Sequence, residues 1–216
     1  MSGSRGFFYD DCRSADRLAR EYTRVTAGED LVVEYQPSIG KFAYVTTRTT
    51  ATTRREWFIK SISDMPTFEC YYLFSKNYQA PSQSYGGFGI SYWAKDQSNL
   101  NMFEFSDAVY FIKFTGGLGP YGVWFTYPVA PVNDLWYYVR FRRNVSNLKM
   151  KMWLYGTAEP DWQRYVGLAP AGSNENPPRP VPYGHNIGLT TFLFQNGDYC
   201  KIADLRITPI RKVGGP

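Results

Sequence analysis

The chain has 216 residues, a formal charge of +5, and 44% hydrophobic residues, among them 18 Tyr, 15 Phe and 6 Trp. That length can bury a large core, and the aromatic excess suits pleated, half-buried strands better than helices. A diffuse basic charge selects no partner class, three cysteines (Cys12, Cys70, Cys200) make no disulfide framework, and no run approaches the ~18 apolar residues a membrane span needs.

In chain order, MSGSRGFFYDD lacks the apolar region of a signal peptide, so a soluble protein synthesised in the cytoplasm is expected. Phe7–Asp11 reads as a first strand. Residues 13–30 read as irregular or a short helix, because Leu18, Ala19 and Tyr22 give only a thin apolar stripe. Leu31–Tyr35 and Phe42–Thr47 flank a loop with Pro37 and Gly40 and read as a hairpin. Strands follow at Trp57–Ile62, Thr67–Phe74, Phe88–Ala94, Met102–Phe105, Tyr110–Phe114 and Gly122–Thr126, with a long surface loop at 75–87 and a tight connection over Thr115–Tyr121.

The stretch WYYVRFRRNVSNLKMKMWLY, Trp136–Tyr155, predicts a β-hairpin around the turn-forming Asn144, Ser146 and Asn147. Tyr137, Val139, Phe141, Leu148, Met150, Met152 and Leu154 repeat at period 2 and form one apolar face. The other face carries Tyr138, Arg140 and Arg142 beside Lys149, Lys151 and Trp153. Four like charges across a strand pair are unfavourable, so this face calls for an anionic or sugar partner, or for neighbouring carboxylates. Strand-like Trp162–Gly167 follows, then a proline-rich surface loop at 169–182, then strands at Asn186–Phe194 and Tyr199–Ile210. Short strands, scarce helix and Gly/Pro-rich turns predict an all-β fold, a single antiparallel two-sheet sandwich spanning 1–216.

Phe8-Tyr9-Asp10-Asp11, the Trp136–Gly156 block, Pro160-Asp161-Trp162, Ile187–Phe192 and Ala203-Asp204-Leu205-Arg206-Ile207 occur in an order that resembles the concanavalin A-like lectin/glucanase jelly roll, in particular its laminin-G-like modules. The resemblance spans the whole chain. It implies two curved sheets with first and last strands adjacent, Asp10 or Asp11 near Asp204, and Cys12 near Cys200. It also implies a structural Ca²⁺ held by Asp10, Asp11 and Asp204, since oxygen ligands suit that hard cation. The alternative is that Asp10 and Asp11 end a strand and Asp204 is an exposed edge residue.

The glucanase branch needs paired carboxylates about 5–5.5 Å apart, one as nucleophile and one as acid. Glu104 and Asp107, three positions apart, would point to opposite faces of a strand. His185 is the sole histidine and has no partner for general base chemistry, and no metal-binding spacing occurs. A non-enzyme without a cofactor other than that Ca²⁺ is expected.

Binding is the remaining class. Sugar rings stack on aromatic platforms, for which Trp93, Tyr121, Trp124, Trp153 and Tyr183 are candidates, against the alternative that most such rings are packing. The expected ligand-binding set is Trp153, Tyr138, Arg140, Arg142, Lys149, Lys151, Tyr121 and Trp124. Nucleic acid ranks below glycan and an acidic protein surface, because no nucleic-acid signature accompanies the charges. The two functions expected are a non-catalytic carbohydrate-recognition module, such as a virion surface component of a phage capsid or tail, and an assembly subunit working through protein–protein contacts. Either would act as a homo-oligomer or within a larger assembly.

Overall fold

The computed structural model describes residues 7–26, 30–47, 54–63, 67–77, 87–96, 99–105, 109–115, 118–121, 131–144, 147–167, 186–192 and 197–210. The strands are β1 Phe8–Asp10, β2 Tyr22–Arg24, β3 Val32–Gln36, β4 Lys41–Thr47, β5 Arg54–Ser63, β6 Phe68–Asn77, β7 Gly87–Asp96 and β8 Asn99–Phe105. They continue as β9 Val109–Thr115, β10 Leu118–Tyr121, β11 Tyr137–Arg143, β12 Asn147–Leu154, β13 Arg164–Gly167, β14 Asn186–Phe192 and β15 Tyr199–Pro209. The helix α1, Ala15–Glu21, is capped by the Ser14 hydroxyl, which accepts from the Arg17 N–H at 3.2 Å, and carries Asp16 in its first turn and Arg20 in its last.

Two antiparallel sheets result. The first runs β13-β12-β11-β6-β15-β4-β3, with β1 also on β15; the second runs β10-β9-β8-β7-β14-β5-β2. The alternation read in the hairpin is the observed one for Tyr137, Val139 and Phe141 of β11 and Leu148, Met150 and Met152 of β12, which enter the core, but Leu154, read on the same face, ends β12 exposed. In the core the buried ones meet Ile90 and Tyr92 of β7, Phe103 of β8 and Ile187 and Leu189 of β14. Phe141 stacks on Phe103 across the two sheets, with ring centroids 4.7 Å apart.

Two local devices shape the strands. In β15, Ala203 pairs with Leu73 but Arg206 pairs with Tyr71, so one extra residue bulges where Asp204 takes φ +54°. Aspartate tolerates this left-handed backbone better than most residues. The bulge switches the inward face from Cys200 and Ile202 to Leu205 and Ile207, and it divides the strand edge between β4 on one side and β1 on the other. In β14, Gly188 passes so close to β5 that a Cβ there would lie 2.2 Å from the Trp57 carbonyl oxygen.

Three expectations change. Tyr22–Arg24, read within a helix-like stretch, is a strand on β5, because Tyr22 is buried in the core and helix propensity yields to that packing. Leu118–Tyr121, read as connection, is a strand pairing with β9, and its place at the end of the sheet order tolerates Pro120. Ser75–Asn77, read as loop, continues β6. The expected strand at 122–126 and the loop at 169–182 lie outside the described residues.

Candidate functional site on the outer face of the first sheet

The register pairs Tyr138 with Trp153, Arg140 with Lys151 and Arg142 with Lys149, so the basic face of the hairpin exists as read. Its partner is the same chain. On the other side of β11, β6 brings Glu69 opposite Arg142 and Tyr71 opposite Arg140. Glu69 accepts from Arg140 Nε through one oxygen and from Arg142 Nε through the other, each at 2.7 Å.

The chain beyond β12 then folds back over this face. Glu159 accepts from Arg140 Nη1 at 2.7 Å and lies 2.6 Å from Lys151 Nζ, which also donates to the Pro160 carbonyl at 2.9 Å. The Trp162 ring receives Lys151 at 4.9 Å, Arg142 at 5.1 Å and Arg140 at 5.7 Å from its centroid. The Lys151 hydrogen bond, then that from Arg140, holds the Glu159 carboxyl below its ordinary pKa. Burial opposes the charge of Arg140, but its bonds to Glu159 and Glu69 outweigh this and raise its pKa.

Trp153 is not the open platform expected of it. It is only 8% exposed, packed against Tyr138 at 5.2 Å and Tyr71 at 6.2 Å between ring centroids. A ring flanked by two others and by Lys151 has little face left for a sugar. Tyr121 ends β10 and Trp93 lies within β7, both strands of the second sheet, whereas Trp153 belongs to β12 of the first. Trp124, Tyr183, His185 and Asp107 lie outside the described residues.

Beside the covered hairpin the same face stays open. A depression of ≈ 250 Å³ is lined by Glu69, Tyr71, Arg140, Arg206 and Thr208. Arg206, at the bulge, donates from Nε and Nη2 to Asp204 at 3.0–3.2 Å. Its guanidinium sits 5.3 Å from the Tyr9 ring centroid and 5.4 Å from that of Tyr71. Burial first, then the charge of Asp204, raises the pKa of the Tyr9 hydroxyl. Across this face Lys41, Arg140, Arg142, Lys151 and Arg206 pair with Glu69, Glu159 and Asp204. Sequence reading missed Glu69, Tyr71 and Arg206. The alternation in FECYYLF puts Glu69 and Tyr71 on one strand face, but nothing local says that this strand lies beside β11.

The carboxylates assigned to calcium do not assemble. Asp10 has no exposure and points between the sheets, where it accepts from the hydroxyls of Tyr22 at 3.0 Å and Tyr44 at 2.8 Å and from the Cys12 N–H at 2.9 Å. Asp11 faces Arg13 and Arg17, and Asp204 faces Arg206 and Lys41. Arginine and lysine at these oxygens compete with a cation, and no metal-holding group of three ligating side chains occurs among the described residues. First and last strands are adjacent, as implied, with Asp10 opposite Leu205. Cys12, Cys70 and Cys200 are buried and unbridged.

No protein-family model matches the chain, and no curated protein matches it. Solved structures do. Lectin II from Ulex europaeus superposes with a TM-score of 0.60 at 8% identity, covering 96% of this chain and 99% of that one. The exoplasmic/lumenal domain of VIP36, in a form bound to Ca²⁺ and Man3GlcNAc, gives 0.57 at 9% identity over 91% and 88%. The carbohydrate-binding module CBM66 from Bacillus subtilis gives 0.56 at 11% identity over 87% and 95%. The chain has the concanavalin A-like jelly-roll fold that these proteins share.

Proposed function

We propose that the protein is a non-catalytic carbohydrate-recognition module that binds through the depression between β6, β11 and β15. The observation carrying this reading is that open depression, where the Arg206 guanidinium and the Thr208 hydroxyl offer polar groups beside the wall formed by Tyr71. The fold adds weight, since similar structures include a lectin and a carbohydrate-binding module. A non-catalytic role fits the carboxylates of this face, each of which is engaged by cations.

The test is a glycan array and titration calorimetry with the wild type and Thr208→Trp. Thr208 is exposed at the rim, so the indole fills the depression without entering the core. Binding by the wild type and its loss in the variant, with an unchanged melting temperature, are expected. Wild-type affinity in the variant would move the site elsewhere.

A second reading, an assembly subunit, is favoured by β3. It ends the sheet order and exposes Val32 and Tyr35, and an open edge strand invites pairing with another chain. A stable oligomer in solution, with no saccharide bound on the array, would give the assignment to assembly.

A further inference from the structure

We propose that Arg206 anchors an anion site in this depression and that the saccharide it takes is acidic, bearing a carboxylate or a sulfate ester; the inference rests on the saccharide-binding reading above. Asp204 holds one edge of the guanidinium, through Nε and Nη2. Nη1 has no hydrogen-bond partner among the described residues, so the end of the fork remains available, and that planar pair of donors matches a second carboxylate or a sulfate.

The group is also held in place before any ligand arrives. At position 206 the neighbours of β15 are β1 and β6, and each contributes a ring, Tyr9 from one side and Tyr71 from the other. An arginine fixed by a carboxylate and two rings loses little rotamer freedom on binding. The rest of the lining agrees with an anion. Glu69 in that lining has one oxygen bonded to Arg140 and the other to Arg142, so it presents no unpaired negative charge to an anionic ligand.

The alternative role for Arg206 is to neutralise Asp204 at the bulge and nothing more. Titration calorimetry of the full chain with tri-galacturonate, a heparin-derived sulfated hexasaccharide and neutral galactotriose separates the two. An acidic probe binds and galactotriose does not, and whichever acidic probe binds identifies carboxylate or sulfate. Its affinity falls as NaCl rises from about 50 to about 500 mM. Arg206→Gln weakens it at least about tenfold, as loss of a hydrogen bond to a charged group does, while Arg206→Lys keeps part of it. Galactotriose binding as tightly as the acidic probes, or wild-type affinity in Arg206→Gln, overturns the inference and leaves saccharide recognition standing. Absence of binding to these probes and to every neutral glycan on the array overturns both. Should Arg206→Gln fail to fold, the salt series and the acidic-to-neutral ratio on the wild type decide the matter.

Discussion

Asp10 is fully buried, yet its oxygens receive two tyrosine hydroxyls and a backbone amide, with Arg17 Nε 3.6 Å away. A buried carboxylate survives on such terms, and here it joins β1 and β4 of one sheet to β2 of the other. Burial first, and then the charge of Asp10, push the Tyr22 and Tyr44 hydroxyls well above the ordinary tyrosine value. An unfolded tyrosine releases its proton near pH ~10 while these folded ones keep theirs. Stability from this source is therefore complete below pH ~10 and drains away as pH rises beyond it. Tyr44→Phe should cost about 1.5–3 kcal/mol at pH 7, the worth of a hydrogen bond to a charged group. It should also flatten the alkaline decline, without abolishing it, because buried Tyr72 and Tyr92 are raised too, Tyr92 to about 12. Urea midpoints measured from pH 7 to 12 check this; parallel curves for the two proteins would refute it. The sequence placed Asp10 beside the last strand, but not the direction of its side chain. That depends on Tyr22 and Tyr44, which lie 12 and 34 positions away.

At the scale of elements, the hairpin was legible because both its strands keep a strict period of two and its cross-strand pairs are local. Its basic face was not, because the groups that neutralise it come from elsewhere. Glu69 lies 71 positions before Arg140, and Glu159 and Trp162 reach it only when the chain after β12 turns back. Arg143 shows the same limit from inside. Next to the turn-forming Asn144, it continues the inward face of β11, fully buried, and burial lowers its pKa to about 10. In β15 the alternation itself breaks at Asp204, so no single period fits the strand. The glycine of Ile187-Gly188-Leu189 belongs with these. Its Cα has room for no substituent, since a Cβ would meet the Trp57 carbonyl carbon at 2.9 Å and Phe58 Cα at 3.0 Å as well. These are backbone atoms of β5 and cannot swing aside. Gly188→Ala should force the two strands apart at a cost of about 3 kcal/mol, the upper part of the range for overpacking. A urea midpoint within error of wild type would show that β5 and β14 have slack.

For the molecule as a whole, the sheets are held by one continuous core, and aromatic residues cross it. Phe141 of β11 contacts Phe68 of its own sheet at 5.8 Å, and it meets Tyr92 at 5.7 Å and Phe103 at 4.7 Å from the other sheet. The sequence made this legible as a class of fold. A chain rich in Tyr, Phe and Trp with alternating strands has few ways to bury them other than between two sheets. The strand order was not legible, because β6 lies between β11 and β15 although 59 or more positions separate it from either. Such pairing makes the core a shared property of the chain. Phe141→Ala removes a ring that both sheets contact, at a cost of about 3–5 kcal/mol. For a chain this long that lowers the melting temperature by about 6–20 °C. Because each sheet buries its apolar face against the other in one shared cluster, loss of packing and loss of strand structure should remain one event. Near-UV and far-UV circular dichroism should shift together and keep a single midpoint. A near-UV signal lost well before the far-UV signal would mean that the two sheets persist without the core between them.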